Sequence, residues 1–85
     1  MIFDYVQLNS KEYDTSGQLR IKDDNEVKII FEDMMLGNEL KDLLSKGDEV
    51  SELVIKNSDE TRYVTKNVSV SHVTIDGKYY HATFK

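Results

Sequence analysis

The two histidines of the chain, His72 and His81, are the side chains whose types and spacing come closest to a chemical site. They flank Asp76-Gly77, a dipeptide that predicts a tight hairpin because both of its residues tolerate positive φ. With these two as the turn residues, the histidines lie directly opposite each other in a non-hydrogen-bonded pair, with Cα atoms about 4.5 Å apart. Two imidazoles at that separation can ligate zinc, nickel or copper.

The rest of the sequence does not complete such a metal site. Structural zinc takes four ligands and catalytic zinc usually takes three, and the chain has no cysteine. We therefore predict no resident metal. His72 and His81 stay as candidate metal ligands for weak binding, and as candidates for contact with a partner.

Catalytic signatures are missing from the sequence. It contains no Gly-x-Ser-x-Gly elbow, no glycine-rich phosphate loop and no His-Glu-x-x-His pattern. Asp23-Asp24-Asn25-Glu26 lacks the alternating ligands and the central glycine of a calcium loop, so we interpret it as a solvated acidic turn. We expect neither an enzyme nor a cofactor.

The charge of the chain disfavours several partners. A net charge of −5, from 11 basic and 16 acidic residues, disfavours direct binding of nucleic acid or of an anionic membrane. Many acidic residues fall in short groups: Asp23, Asp24 and Glu26; Glu32 and Asp33; Asp48, Glu49 and Glu52; Asp59 and Glu60. They form either ordinary solubilising surface or an acidic inhibitor that mimics nucleic acid and binds a basic groove on a partner protein.

Five tyrosines are many for so short a chain, and tyrosine is enriched both in strands and in protein interfaces. Tyr79 is predicted on the hairpin face opposite the core, so it joins His72 and His81 as a candidate contact residue. The predicted function is a small non-enzymatic protein–protein interaction module. Its predicted partner is another protein or a second copy of the chain in a homodimer.

Amino-acid usage and the N-terminal sequence suggest an origin and a location. Residues with AT-rich codons, such as Lys, Asn and Ile, outnumber those with GC-rich codons, such as Gly, Ala and Arg. This skew favours an accessory protein of a low-GC bacterium or phage. The sequence has no cysteine and no long apolar segment, and its first residues lack the basic region of a secretory signal, so we expect a cytoplasmic location.

The length predicts a single β-rich domain over residues 1–85. Segments rich in Val, Ile, Tyr and Thr between turn residues predict strands near 2–8, 18–22, 26–32, 50–56, 61–66, 68–75 and 78–84. The predicted fold class is α+β, an antiparallel curved sheet of six to seven short strands with one short helix packed on it. A small β-barrel is the alternative, because many short strands need protected edges.

One segment has helical periodicity. Leu40, Leu43 and Leu44 share one face of a predicted helix over 38–46, with Asn38 as its N-cap and Gly47 as its end. So short a helix is not stable alone in water. We therefore expect all three leucines to be buried against the sheet.

The Asp76-Gly77 turn also assigns the faces of the C-terminal hairpin. It places Val73 opposite Tyr80 and Ser71 opposite Ala82. The face predicted to pack in the core comprises Val73, Ile75, Tyr80, Ala82 and Phe84. A β-bulge further upstream would turn Val68 and Val70 inward.

Overall fold

The computed structural model describes residues 1–22 and 25–85, so the predicted acidic turn at Asp23 and Asp24 lies outside the described residues. The described strands are β1 Ile2–Phe3, β2 Tyr5–Leu8, β3 Lys11–Tyr13, β4 Gly17–Ile21, β5 Val27–Phe31, β6 Glu49–Asn57, β7 Glu60–Asp76 and β8 Tyr79–Phe84. The helix, α1, spans Met34–Lys46 between β5 and β6.

The strands form one antiparallel sheet in the order β1-β4-β5-β8-β7-β6-β2-β3. This arrangement confirms the predicted α+β fold class, with slightly more strands than the six or seven expected. The segment Lys11–Tyr13 is an unpredicted strand, and the predicted strands 61–66 and 68–75 form the single strand β7.

The first two strands show how strongly the sheet curves. Only Asp4 separates β1 from β2, yet β1 pairs with β4 and β2 pairs with β6. The backbone N–H of Asp4 itself donates to the carbonyl of Lys56 at 3.0 Å. Residues 2–8 therefore connect two distant parts of the sheet, and the strands wrap around a common interior.

Alternating side chains from the strands fill this interior. In β5, Val27, Ile29 and Phe31 are buried while the residues between them are not, as expected for a strand with one face in the core. The helix adds Leu36, Leu40 and Leu43. Each fully buried side chain of this kind contributes roughly 1.5–3 kcal/mol relative to an exposed one.

The helix begins one turn earlier than the leucine pattern predicts. Asp33, and not Asn38, is the N-cap, and its side chain accepts a hydrogen bond from the backbone N–H of Leu36 at 2.9 Å. The predicted C-terminus is confirmed, because Gly47 has φ 70° and its N–H bonds the last helical carbonyls. Asn38 lies within the helix and is exposed.

The buried stripe of the helix differs from the predicted one by a residue. Leu36, Leu40 and Leu43 follow the spacing i, i+4 and i+7 and face the sheet. Leu44 lies at the side of this stripe and is 37% exposed, so its predicted burial is wrong. The error arises because the predicted helix began after Leu36. Leu36 was therefore left out of the stripe, and Leu44 was assigned to it instead.

The helix approaches the sheet most closely at Gly37. A Cβ atom built there would lie 2.4 Å from a ring carbon of Tyr80. The Tyr80 ring in turn stacks on Phe31, with centroids 5.4 Å apart and planes inclined by 12°, and Lys41 Nζ lies 5.8 Å from its centroid. A glycine is needed at position 37 because the aromatic ring occupies the space of a side chain.

The C-terminal hairpin turns one residue later than predicted. Ile75 pairs with Tyr80 and Val73 with Ala82, so the two-residue loop is Gly77-Lys78 and the predicted partners are wrong. Gly77 has φ 63°, whereas Lys78 is not among the described residues with positive φ. A glycine at the first central position is typical of a type II′ turn, and not of the predicted type I′.

The observed pairing differs from the predicted one by two residues, since Val73 lies opposite Ala82 instead of Tyr80. A shift of two residues leaves the same side chains on each face. Tyr80, Ala82 and Phe84 are buried and Val73 packs against the core, as predicted. Ile75, however, is 51% exposed, although it pairs with the buried Tyr80 in the second pair from the loop. Its predicted place in the core is wrong.

The long strand β7 bends where its partner changes. Its first half pairs with β6 and its second half with β8. The register shifts between Val70 and His72, and Asn67 has φ 56°. The predicted bulge is thereby confirmed: Val70 is buried and Val68 packs against the core.

Candidate interaction face

We use the term outer face for the outward-pointing side chains of β1, β4, β5, β8 and the second half of β7. The strand registers arrange these side chains in three rows that run across the strands. The middle row contains Ile2, Gln18, Ile30, His81 and Thr74, each the cross-strand partner of the next. None of the five is buried.

The second row, called the acidic row, lies toward the hairpin tip and contains Ser16, Glu32, Tyr79 and Asp76. Tyr79 pairs with Asp76, while Ser16 and Glu32 adjoin the ends of β4 and β5. Glu32 Oε1 lies 3.2 Å from Lys78 Nζ, and this hydrogen bond raises the pKa of Lys78. Lys78 Nζ also lies 5.5 Å from the Tyr79 ring centroid.

The third row, called the basic row, lies on the other side of the middle row. It contains Arg20, Lys28, Thr83 and His72, again paired successively across the strands. Neither Arg20 nor Lys28 takes part in any ion pair found within the described residues. The outer face is thus charged oppositely at its two ends.

A groove of about 550 Å³ opens over the middle and acidic rows. It is lined by Ile2, Ser16, Gly17, Gln18, Ile30, Phe31, Glu32, Asp76, Tyr79 and His81. Ile2 is 64% and Tyr79 44% exposed, so the groove presents apolar and aromatic surface to solvent. Such surface flanked by polar residues is typical of recognition sites.

The structure does not place the two histidines opposite each other. His72 pairs with Thr83 and His81 with Thr74, because the hairpin turns one residue later than predicted. The histidines are diagonal neighbours on one face, a relation in which Cα atoms are about 7–8 Å apart. Within residues 1–22 and 25–85, no three His, Cys, Asp or Glu side chains are grouped as metal ligands.

The three candidate contact residues nevertheless share the outer face. Tyr79 lies in the acidic row, His81 in the middle row and His72 in the basic row. Of the charged residues beside them, Glu32 was named from the sequence only as part of a short acidic group, and Lys28 was not singled out. Lys28 within β5 and Glu32 directly after it alternate with the buried residues of that strand, which marks them as outward-pointing, but no local pattern specifies the pairing of β5 with β8.

The helix carries a second exposed apolar surface. Met34 and Met35 are 67% and 76% exposed. Next to Met35 is a cavity of about 440 Å³ whose lining includes Tyr13, Glu39 and Asp42. Exposed methionines occur at adaptable binding surfaces, but the carboxylates beside this cavity are already paired, Glu39 with Lys11 and Asp42 with Lys46.

The edge strand β3 is poorly suited to the addition of a strand from another chain. β3 pairs with β2 alone and is only three residues long. Lys11 in β3 forms an ion pair with Glu39 of the helix at 3.1 Å. Short edge strands with charged side chains are a common device against pairing with other chains.

Comparison with known proteins finds no matching family model, no similar curated protein and no similar solved structure. Within the described part of the chain, no helix has the length and apolar character needed to cross a membrane.

Proposed function

We propose that the protein is a non-enzymatic protein–protein interaction module and that the outer face is its contact surface. The observation that carries the proposal is the groove over the middle and acidic rows, which combines exposed Ile2 and Tyr79 with Glu32 and Asp76. Protein interfaces commonly combine an apolar centre, aromatic residues and a charged rim.

The dimensions of the outer face favour a protein partner over a small molecule. Neighbouring strands are about 4.8 Å apart, so five strands span about 19 Å, and rows two residues apart add about 14 Å along the strands. A surface of this extent can contact several side chains of a partner at once. Arg20 and Lys28, the cations of this face that form no ion pair with another described residue, are too few to suggest nucleic acid as the partner.

Two alternatives from the sequence gain less support. An acidic inhibitor needs a coherent negative surface, whereas the outer face carries charges of both signs and the helix acids Glu39 and Asp42 pair with lysines. Weak metal binding needs close imidazoles, whereas His72 and His81 are only diagonal neighbours. The wider proposal is a bacterial or phage accessory protein of the cytoplasm, supported by residue usage and the lack of cysteine.

Selection of ligands from a random peptide library tests the contact surface. Peptides selected on the wild-type chain are measured against Ile2→Glu and Tyr79→Ala, which alter the groove. Val64→Glu is the matched control, because Val64 is 50% exposed on β7 beyond the outer face. We expect the groove variants to weaken binding about tenfold or more and the control to leave it unchanged.

Either of two results would contradict the proposal. One is that the library yields no binding peptide. The other is that the selected peptides bind Ile2→Glu and Tyr79→Ala as tightly as the wild type, which would assign recognition to another surface. Folding of each variant is checked by its thermal transition, so that lost binding is not confused with unfolding.

A further inference from the structure

We propose that the partner bound by the outer face is a second copy of this chain, in a two-fold symmetric dimer. In this dimer, the acidic row of each copy contacts the basic row of the other. The dimer rests on the proposed function, because it uses the same face. It is carried by the opposite charges at the two ends of one sheet face.

The order of the rows determines the symmetry of the dimer. A two-fold axis along the middle row turns the second copy over and reverses the order of its rows. The acidic row then lies on the basic row and the middle rows lie on each other. A two-fold axis parallel to the strands would instead place like charges together, which is destabilising. One orientation is therefore favoured.

The axis along the middle row keeps each strand on its own copy. On the central strand β5, Glu32 of one molecule faces Lys28 of the other, and the contact occurs twice because the interface is isologous. On β7, Asp76 faces His72 in the same way. Ile30 and His81 lie near the axis and meet their own counterparts.

The shapes of the rows are also complementary. The groove opens over the acidic and middle rows, while the basic row carries the long side chains of Arg20 and Lys28. These side chains form no described ion pair within the monomer. Each can lay its aliphatic stem along the apolar floor of the opposite groove and bring its charge to the carboxylates. Glu32 then divides its contacts between Lys78 and Lys28 of the second copy.

Among the described residues, the charges next to the basic row pair with each other and so do not cancel it. Lys22 and Glu26, one step further along the outward positions of β4 and β5, pair with each other at 3.5 Å. Asp76 in the acidic row takes part in no ion pair found among the described residues. Each end of the face thus has at least one charge available to the second copy.

The extent of the face predicts a weak dimer. With half a spacing added beyond the outermost strands and rows, the face measures about 24 Å by about 20 Å, or roughly 400–500 Å² on each copy. The dimer then buries about 1,000 Å² or less in total, at the lower end of specific interfaces and typical of transient ones. Association should therefore be concentration-dependent and should weaken as salt screens the charged rows.

Charge reversal on β5 tests the arrangement by sedimentation equilibrium over a concentration series. Glu32→Lys or Lys28→Glu alone places like charges together, and each should weaken self-association about tenfold or more. The double variant with both reversals in one chain should restore association. An equal mixture of the two single variants should form a heterodimer more tightly than either variant associates with itself.

The matched controls are Glu60→Lys and Lys66→Glu, which make the same charge changes in the first half of β7, outside the outer face. They should leave association unchanged. A wild-type chain that stays monomeric up to about 1 mM, or a dimer that ignores both β5 reversals, overturns the inference. If selected peptides still require Ile2 and Tyr79 in that case, the outer face binds a different protein and the proposed function stands.

Discussion

Replacing Gly37 with alanine should have two opposing effects on the free energy of unfolding. In a helix interior, alanine is favoured over glycine by up to about 1 kcal/mol because glycine loses more backbone entropy. At this position, however, the new methyl group would lie 2.4–2.7 Å from three ring carbons of Tyr80. Ordinary van der Waals contact begins at about 3.4 Å, so the ring or the helix must move by about 1 Å.

The surroundings of Tyr80 make that movement costly. The ring is only 9% exposed and stacks on Phe31, which is itself 1% exposed. Overpacking of a filled core costs typically 1–3 kcal/mol. After subtracting the gain in helix propensity, we expect Gly37→Ala to lower the free energy of unfolding by up to about 2 kcal/mol.

Urea denaturation of four proteins measures this balance: wild type, Gly37→Ala, Tyr80→Leu and the double variant. The smaller leucine removes the clash, so Gly37→Ala should be neutral or stabilising in that background, with a coupling energy of about 2 kcal/mol. Asn38→Ala, at the exposed neighbouring helix position, controls for propensity alone. A Gly37→Ala protein more stable than the wild type would refute the close packing of helix and hairpin.

Three further predictions concern stability and ionisation. Leu43→Ala should lower the free energy of unfolding by about 2–4 kcal/mol in urea denaturation, whereas Leu44→Ala, at a residue 37% exposed, should cost clearly less; equal losses would contradict the assigned stripe. Gly77→Val should lower the melting temperature by calorimetry because its φ is 63°, and an unchanged melting temperature would exclude the assigned turn. The hydrogen bond that Tyr5 Oη donates to Glu12 at 2.6 Å raises the pKa of Tyr5 to about 12. Its contribution to stability is thus complete below about pH 10 and lost as pH rises toward 12; in ultraviolet titration, Glu12→Gln should lower this pKa, and an unchanged curve would contradict the hydrogen bond.

Local patterns in the sequence predicted most of the elements but placed two boundaries wrongly. The strand alternation and the leucine periodicity were sufficient for the fold class and for the existence of the helix. The N-cap was misplaced because Asn38 and Asp33 are both good caps, and the choice between them depends on the burial of Leu36. The turn was misplaced because Gly77 can occupy either central position of a two-residue loop.

The outer face could be predicted only in part. Tyr79, His72 and His81 were placed on a common face. That placement is correct despite the register error, because the pairing changed by two residues and the faces were therefore kept. Glu32, Lys28 and Arg20 were not recognised as their neighbours. Their position depends on the pairing of β5 with β8, which brings together segments about fifty residues apart in sequence, and no local pattern in the sequence specifies such a pairing.

The N-terminal segment, in which β1 and β2 pair with different parts of the sheet, has a consequence for folding and for aggregation. β1 finds its partner β4 nearby in the sequence, but β2 must wait until β6 has formed, since Tyr5 pairs with Lys56. Pairing of this segment is therefore complete only when both the short-range contact of β1 with β4 and the long-range contact of β2 with β6 have formed. Such non-local pairing slows folding. Until it docks, backbone groups of both β4 and β6 remain unpaired. Detachment of these few residues would expose two strand edges at once, so this segment protects the molecule from edge-to-edge association.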